Sequence, residues 1–375
     1  MHKALKVRIY PNTKQIMLIA KTLGCVRFVY NHMLALSKKT YEETGRGISC
    51  DECIKMLPGL KKTFPFLKEP DSIALQQSVR HLDDAFARFF NKQNDYPQFK
   101  KKRYDRSYTT MRVKNNIQID GNAVVLPKLG KVRARVHREV PDDWTLKSAT
   151  VERTPSSKYF VSLSFEYENQ VSKVMPNKII GLDYSSPHLY VDSEGNMPDF
   201  KKPFLKYQAK LAREQRKLSK MREDAKKAKR PLRECKNYQK QKIKVAKVYE
   251  KIANCRLDAL HKLSLELAEN YDAVAVEDLN MKGVSQGLNL GKATMDNGYG
   301  MFVTMLEYKL ENQGKQLVKV GKWYPSTKTC SCCGSVKPMR LGEETYACPV
   351  CGNVIDRDVN AAINIREEAK RILST

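Results

Sequence analysis

The chain is short of acids: its 375 residues carry 41 Asp and Glu against 68 Lys and Arg, a formal net charge of +27. That deficit excludes a partner-free acidic or neutral protein. A compact chain with this excess repels itself unless a polyanion neutralises it, and nucleic acid is the usual polyanion. Long apolar runs are also missing. At 41% hydrophobic residues the chain can build real cores, yet nowhere does it stay apolar for the 18 or so residues a membrane helix needs. The opening Met1-His2-Lys3-Ala4-Leu5-Lys6-Val7 lacks the apolar stretch of a secretory signal. A soluble intracellular protein with no membrane partner is expected. A disulfide framework is absent too. Ten cysteines in a basic chain without a signal belong in reducing cytoplasm, where clustered cysteines bind metal. No internal repeat is present.

The pattern changes along the chain. Ala4–Tyr10 alternates as a short strand ending at Pro11. Residues 13–45 carry helical periodicity through Ile16, Ile19, Leu23, Val26, Tyr30 and Met33, until Gly45-Arg46-Gly47 breaks it. A second helix is predicted over about Ser72–Asn91, with Leu75, Val79, Leu82, Phe86 and Phe89 or Phe90 inward and Gln76, Gln77, Arg80 and Arg88 outward. Segments near 108–119, 122–127, 131–140, 144–153 and 158–168 then read as strands of a small β-barrel. The strand at 4–10 can join it, making the helical block an insertion.

From Lys178 the reading is α/β. Ile179–Asp183 and Leu189–Val191 are strands, as are Tyr271–Glu277 and Gln316–Val320. Residues 201–247 hold 19 Lys and Arg and four acids, Glu214, Glu223, Asp224 and Glu234. A merely solvated helix would mix its signs, so this excess favours a phosphate backbone. Pro231 should divide the stretch into two helices. Further helices are expected over about 246–269, 300–313 and 358–372. The Gly- and Asn-rich residues 285–298 read as a mobile loop.

Two constellations carry chemistry. Cys330 and Cys333 form one C-x2-C pair and Cys348 and Cys351 another, each followed by a glycine, Gly334 and Gly352. Two such knuckles complete a tetrahedral zinc site, and four thiolates leave it no open position, so the zinc is structural. Cys332 could compete as a ligand, but the spacing favours Cys330. Cys50 and Cys53 share the spacing without a second pair and are read as coincidence. The second constellation is acidic. Asp183 and Glu277 end strands and Asp358 opens a helix. Ligand sites of α/β sheets gather at the carboxyl ends of strands, and converging carboxylates call for hard cations such as Mg²⁺. Two ions together stabilise the attacking and leaving oxygens of a phosphodiester. A strand-end acid is more often a turn or cap residue, and Asp272, Asp278 and Asp356 are competitors on that ground.

In order along the chain, Ile180-Gly-Leu-Asp183, Ile252-Ala-Asn-Cys-Arg-Leu-Asp-Ala-Leu-His-Lys262, Val276-Glu-Asp-Leu-Asn-Met-Lys-Gly283, Tyr324-Pro-Ser-Thr-Lys-Thr-Cys330 and Asp356-Arg-Asp-Val-Asn-Ala-Ala-Ile-Asn364 resemble TnpB, the OrfB-type protein of small insertion sequences. Tyr10-Pro-Asn12 and Tyr96-Pro-Gln-Phe-Lys-Lys-Lys-Arg103 fit the same family. The resemblance implies an α/β RNase H-like (RuvC) nuclease core over 176–325 and 355–375, with a zinc ribbon inserted at 326–354. It also implies an N-terminal β-barrel wedge domain over 1–11 and 105–175, interrupted by a helical recognition lobe at 12–104. Its three acids fall on Asp183, Glu277 and Asp358, the last chosen over Asp356 because it precedes Val-Asn-Ala-Ala. Tyr-Ser-Ser-Pro-His follows Asp183, where many relatives have Leu-Gly or a similar pair.

The activity implied is RNA-guided cutting of double-stranded DNA beside a short adjacent motif. Its partners would be a guide RNA and target DNA. Its cofactors would be two Mg²⁺ ions, with Mn²⁺ as a substitute, and one structural Zn²⁺. The setting would be the cytoplasm of a bacterial or archaeal cell, close to the nucleoid. Guide pairing reads the target while the protein reads shape and the adjacent motif. Gln76, Gln77 and Arg80 are the candidate motif readers, since Gln pairs with adenine and Arg with guanine in the major groove; the competing reading is a plain exposed helix face. Lys100, Lys101, Lys102 and Arg103 are candidate phosphate contacts. A compact type V CRISPR effector would share every motif. A non-cleaving guide-directed repressor and a DNA transposase are the readings of other classes.

Overall fold

Alternation alone accounts for the first strand. In β1 (His2–Tyr10) Leu5, Val7 and Ile9 are buried and their neighbours exposed, as a period of two demands of a strand with one covered face. The computed structural model describes residues 2–168, 171–200, 202–281, 283, 296–340 and 342–374. They divide into two compact units, Met1–Glu168 and Asn169–Thr375.

In the first unit, β1 ends before Pro11, and Asn12 starts α1 (Thr13–Thr44). Its side chain accepts from the N–H of Gln15 and the Gln15 amide accepts in return from the N–H of Asn12, each at 2.9 Å. The reciprocal pair satisfies two otherwise orphaned donors. Gly45, at φ 70°, ends the helix as a left-handed cap that an L side chain would strain. A helix that the periodicity did not reveal follows, α2 (Cys50–Thr63), with Pro58 inside it. Cys53 is buried in its inward face, so the lone C-x2-C here is helix packing. Asp71 caps α3 (Ser72–Phe90). Leu75, Val79 and Leu82 are buried, Phe86 packs on the same core, and Phe90 is the exposed one of the Phe89–Phe90 pair.

The remaining strands of this unit are β2 (Ser107–Met111), β3 (Gln118–Asp120), β4 (Ala123–Leu126), β5 (Gly130–Arg135), β6 (Thr145–Arg153) and β7 (Tyr159–Glu166). The single strand predicted over 108–119 is two. Asn116 turns the chain between them, accepting from the N–H of Val113 and donating to the carbonyl of Met111. The hydrogen-bonded order is β2-β6-β7-β1-β5-β4-β3, antiparallel throughout, with β1 between β7 and β5. Among the described residues β2 and β3 are edges with no ladder between them, so the ladder is open where a barrel was predicted.

The second unit is built on four strands, β8 (Ile179–Ser185), β9 (Leu189–Asp192), β10 (Ala273–Glu277) and β11 (Gln316–Val320), in the order β11-β10-β8-β9. β8, β10 and β11 are parallel and β9 is antiparallel to β8. One face is covered by α5 (Lys236–Asn270) and α6 (Tyr299–Glu311), which bury Leu260, Leu267, Phe302 and Leu306 against Ile180, Leu182, Val274 and Val276. The other face is covered by α7 (Arg357–Ser374), through Ile365 and Ala369 against Ala275, Val318 and Val320.

Before α5 comes α4 (Pro203–Lys227). The break between the two falls at 228–235, around Pro231. The boundary expected near 246 does not exist, because α5 runs unbroken to Asn270. α4 and α5 close on Leu211, Val245, Val248 and Ile252, and the buried Gln241 amide donates to the Glu214 carboxylate at 2.8 Å. Apart from Lys202, every described Lys and Arg between 202 and 247 is exposed. Residues 285–295 of the predicted loop, with Val284, Lys201 and Lys282, lie outside the described residues.

Candidate metal and carboxylate sites

The two cysteine knuckles fold alike. Cys330 and Cys348 each accept, through their carbonyls, from the N–H of Gly334 (2.9 Å) and Gly352 (3.2 Å). The cysteines' own N–H groups donate to Ser335 and Asn353, both at 2.8 Å. The glycines lie at φ 75° and 72°, the left-handed turn that a tight knuckle needs. Cys330 Sγ is 3.7 Å from Cys351 Sγ, and Cys333 Sγ is 3.6 Å from Cys348 Sγ. A metal–sulfur bond of about 2.3 Å gives a tetrahedron an edge of about 3.8 Å, so the four sulfurs have the spacing of an S4 site. Among the described residues this is the only group of three or more candidate ligands within 4.8 Å of one another. Cys332 stays exposed outside it. The Ser335 hydroxyl touches Cys333 and Cys348. The short pair β12 (Thr345–Ala347) and β13 (Val354–Asp356) carries Tyr346 into the ribbon's centre, where its hydroxyl donates to the carbonyls of Lys328 and Ser335.

The sheet places two acids together. Leu182 pairs with Val276 across the parallel β8 and β10, so Asp183 and Glu277 follow side by side. Glu277 is the last residue of β10, but Asp183, expected to end its strand, lies two residues inside β8, which runs on to Ser185 paired with β9. Ile180 and Leu182 pack on the α5–α6 side. By alternation Gly181, Asp183 and Glu277 face α7. A Cβ on Gly181 would lie 2.1 Å from the carbonyl oxygen of Ala362 and 2.7 Å from the nitrogen of Arg366. Only glycine there lets α7 press onto β8, and that contact brings the helix's first turn, with Asp358, to the strand ends.

Electrostatics agree. The Asp183 carboxyl is pushed well above its ordinary range, first by burial, then by the charges of Glu277 and Asp358, with Arg357 opposing. Burial also raises Glu277, while a hydrogen bond from the Ser326 hydroxyl works against it. The phenol of buried Tyr299 is raised by the same burial and by Asp183 and Glu277. A buried carboxyl pushed up by two neighbouring acids fits hard cations with oxygen preference. Their oxygens do not lie within 4.8 Å of one another as the four sulfurs do. Arg357 holds the Asp358 carboxylate at 2.8 Å.

The competing acids have other duties. Asp356 caps α7, accepting from the N–H groups of Asp358 (2.9 Å) and Val359 (3.0 Å). Asp272 accepts from the N–H groups of Asn177 and Lys178, and Asp278 is exposed.

Several residues that the sequence reading did not single out join the ribbon to these acids. Asn360 and Asn364, buried on α7, both donate to the carbonyl of Thr329 at 2.7 Å, and Asn364 also donates to that of Ser326 at 2.8 Å. Asn360 accepts from the N–H of Ser331 at 2.9 Å. Two asparagines one helical turn apart, two and six residues after Asp358, were the available signal. Of the proposed nucleic-acid contacts, Arg80, Lys101, Lys102 and Arg103 are exposed, and Gln76 and Gln77 are half-buried. Lys100 is engaged within the unit, 3.8 Å from Asp105 and over the ring of Tyr30.

Three family models match: "Helix-turn-helix domain" over residues 1–46, "Probable transposase" over 162–287 and "Cas12f1-like, TNB domain" over 299–365. Residues 2–46 are one strand and one helix here. The fold is that of compact CRISPR effectors. A Cas12f1 chain, solved by cryo-EM with sgRNA and target DNA, superposes with a TM-score of 0.60 at 16% identity, covering 98% of each chain. The mini RNA-guided endonuclease Cas-phi3 gives 0.52 at 10% identity, covering 98% of this chain and 92% of its own. In sequence the chain is 33% identical over 373 residues to the "Putative RNA-guided DNA endonuclease" of Streptomyces pristinaespiralis, covering 97% of this chain and 88% of that one. It is 29% identical over 391 residues to the "Putative RNA-guided DNA endonuclease InsQ" of Escherichia coli K12, covering 99% and 93%. The chain belongs to the TnpB family of OrfB-type proteins.

Proposed function

We propose that this chain is an RNA-guided DNA endonuclease that cuts double-stranded DNA beside a short adjacent motif, with Asp183, Glu277 and Asp358 as its catalytic acids. The observation that carries this reading is the Asp183 carboxyl, raised by burial and then by Glu277 and Asp358, beside the end of the parallel β8–β10 ladder. The names of the relatives and the guide-bound state of the Cas12f1 structure support it.

In this reading the core is RuvC-like and takes two Mg²⁺ ions. When bound, such ions lower the pKa of water and stabilise both oxygens of an in-line displacement. The residues of the chain do the rest. Asp183 and Glu277 are set side by side by strand register. Ser326 orients Glu277. Arg357 balances the charge of Asp358, which would have to turn from it to hold a cation. No side chain acts as nucleophile. The four cysteines hold one structural Zn²⁺, and Asn360 and Asn364 tie that ribbon to the helix bearing Asp358.

The exposed basic face of α4 and α5 binds the phosphates of the guide or of the guide–target duplex. Arg80, with Gln76 and Gln77, reads the adjacent motif, and Lys101, Lys102 and Arg103 hold its backbone. Residues 1–11 and 105–175 form the wedge domain and 12–104 the recognition lobe; 176–325 and 355–375 form the nuclease domain, around a ribbon at 326–354. The presence of all three acids favours an active nuclease over a silent repressor.

The test is to express the chain with its native flanking DNA and sequence the RNA that co-purifies. One discrete RNA with a variable tail supports guiding. No enriched RNA contradicts it and moves the assignment to a transposase or a direct DNA-binding protein.

A further inference from the structure

Trp323 is 87% exposed. The only other tryptophan, Trp144, stacks on Tyr167 at 4.9 Å and lies against Phe165 at 5.8 Å. An indole is among the largest apolar surfaces a chain can bury, so a tryptophan left in water beside a candidate active site calls for a partner.

The turn presenting it is closed by backbone hydrogen bonds. The N–H of Tyr324 donates to the carbonyl of Gly321 at 2.9 Å, and that of Ser326 to the carbonyl of Tyr324 at 2.9 Å. The ring of Tyr324 packs beneath the sheet with Val318, Val320 and Ile365, and its hydroxyl donates to the carbonyl of Asn364 at 3.3 Å. Tyr324 thus anchors the turn inward while its neighbour faces solvent.

The turn is also bracketed by Glu277. Three residues before Trp323, Val320 is the ladder partner of Glu277 across β10 and β11. Three residues after it, Ser326 donates its hydroxyl to the Glu277 carboxylate. Lys322 holds its ammonium 4.9 Å from the indole centroid, adding positive charge next to the ring.

We propose that Trp323 is a stacking platform for an unpaired base of the DNA strand entering the Asp183–Glu277–Asp358 site, with Lys322 meeting the neighbouring phosphate. The proposal rests on the endonuclease reading above and deepens it by naming the form of the substrate at the acids. A base inside a duplex already has both faces covered, so an exposed indole selects a strand that has been opened. Stacking on aromatic rings is sequence-tolerant because every base has a π face. A nuclease whose target is chosen by guide pairing needs that tolerance at its cutting site.

The test uses the full chain with its RNA bound. In the Trp144→Phe variant Trp323 is the sole tryptophan. Its emission is followed while a single-stranded DNA oligonucleotide is added without Mg²⁺. Saturable quenching is expected, with little from an oligonucleotide of abasic linkers. In parallel, Trp323→Ala should raise KM for cutting single-stranded DNA about tenfold, with kcat changed far less, and Trp323→Phe should restore most of the loss. A Trp144→Phe chain that cuts its target with Mg²⁺ but whose emission ignores DNA would overturn the platform and leave the nuclease reading standing. Quenching without cutting by any variant would retain the platform and remove the nuclease reading. Equal quenching when further guide RNA is added in place of the oligonucleotide would overturn the assignment to DNA.

Discussion

The side chain of Asp356 accepts a hydrogen bond from the backbone N–H of Asp358 at 2.9 Å, so the first of two acids two residues apart serves the backbone of the second. Asp356→Ala should remove a helix cap, costing about 1 kcal/mol and lowering the melting temperature by a few degrees, while guided cutting survives. Asp358→Ala should do the reverse, abolishing cutting with little thermal loss. Melting curves and plasmid cleavage on the two variants check this. Loss of cutting in the Asp356 variant at a temperature where it is folded would contradict it.

Asp183 should cost the metal-free protein stability. Its folded-state carboxyl is raised above the unfolded value of about 3.9, so between those values the native state binds the more protons. Stability from this group is therefore complete below the unfolded pKa and is lost as pH rises through the folded one. Without Mg²⁺, Asp183→Asn should melt higher than the wild type at pH 8, and the gap should close toward pH 5. For a unit of this size each kcal/mol moves the midpoint by about 2–4 °C. Equal midpoints at pH 8 would contradict the proposed repulsion.

Zinc should matter to cutting without touching DNA chemistry. Ser331 is held by Asn360, and the carbonyls of Ser326 and Thr329 by Asn364; Ser326 in turn holds Glu277. Cys348→Ala should release one zinc per chain, measured with a metallochromic dye, and lower kcat by at least tenfold. Cys332→Ser should keep both zinc and rate. A zinc-free chain cutting at full rate would break the link between ribbon and acids.

Arg80 is exposed and Gln77 half-buried on α3. Alanine at each should relax the adjacent-motif preference, scored on a randomised library. A lost bidentate base contact is worth about 1–3 kcal/mol of discrimination, a five- to hundredfold change at one motif position. An unchanged preference in both variants would remove α3 from motif reading.

What the sequence made legible was local. The cysteine knuckles are fixed by spacing within 22 residues, and Glu277 at its strand end by a short apolar run; β8 runs two residues past Asp183 because it pairs with β9. α1, α3, α7 and β11 follow from periodicity. The failures have physical reasons. Pro58-Gly59 disguised α2, whose N-terminal signal, Ser49 with Glu52 three residues on, was present as a capping pair. The strand over 108–119 broke because the Asn116 side chain satisfies the backbone in place of a ladder. α5 runs through 246 because its apolar residues on either side, Val245 and Val248, lie on one stripe against α4. The roles of Ser326, Asn360 and Asn364, and the close approach at Gly181, exist only once strands and helix are assembled.

The most direct measurement pairs the purified RNA-bound chain with a plasmid carrying a matched target and adjacent motif, against the Asp183→Ala variant. The account predicts Mg²⁺-dependent cutting at the matched site by the wild type, redirected when the guide tail is rewritten. It predicts no cutting by Asp183→Ala, with RNA and DNA binding retained. Cutting that persists in Asp183→Ala, or that ignores the guide, would contradict it.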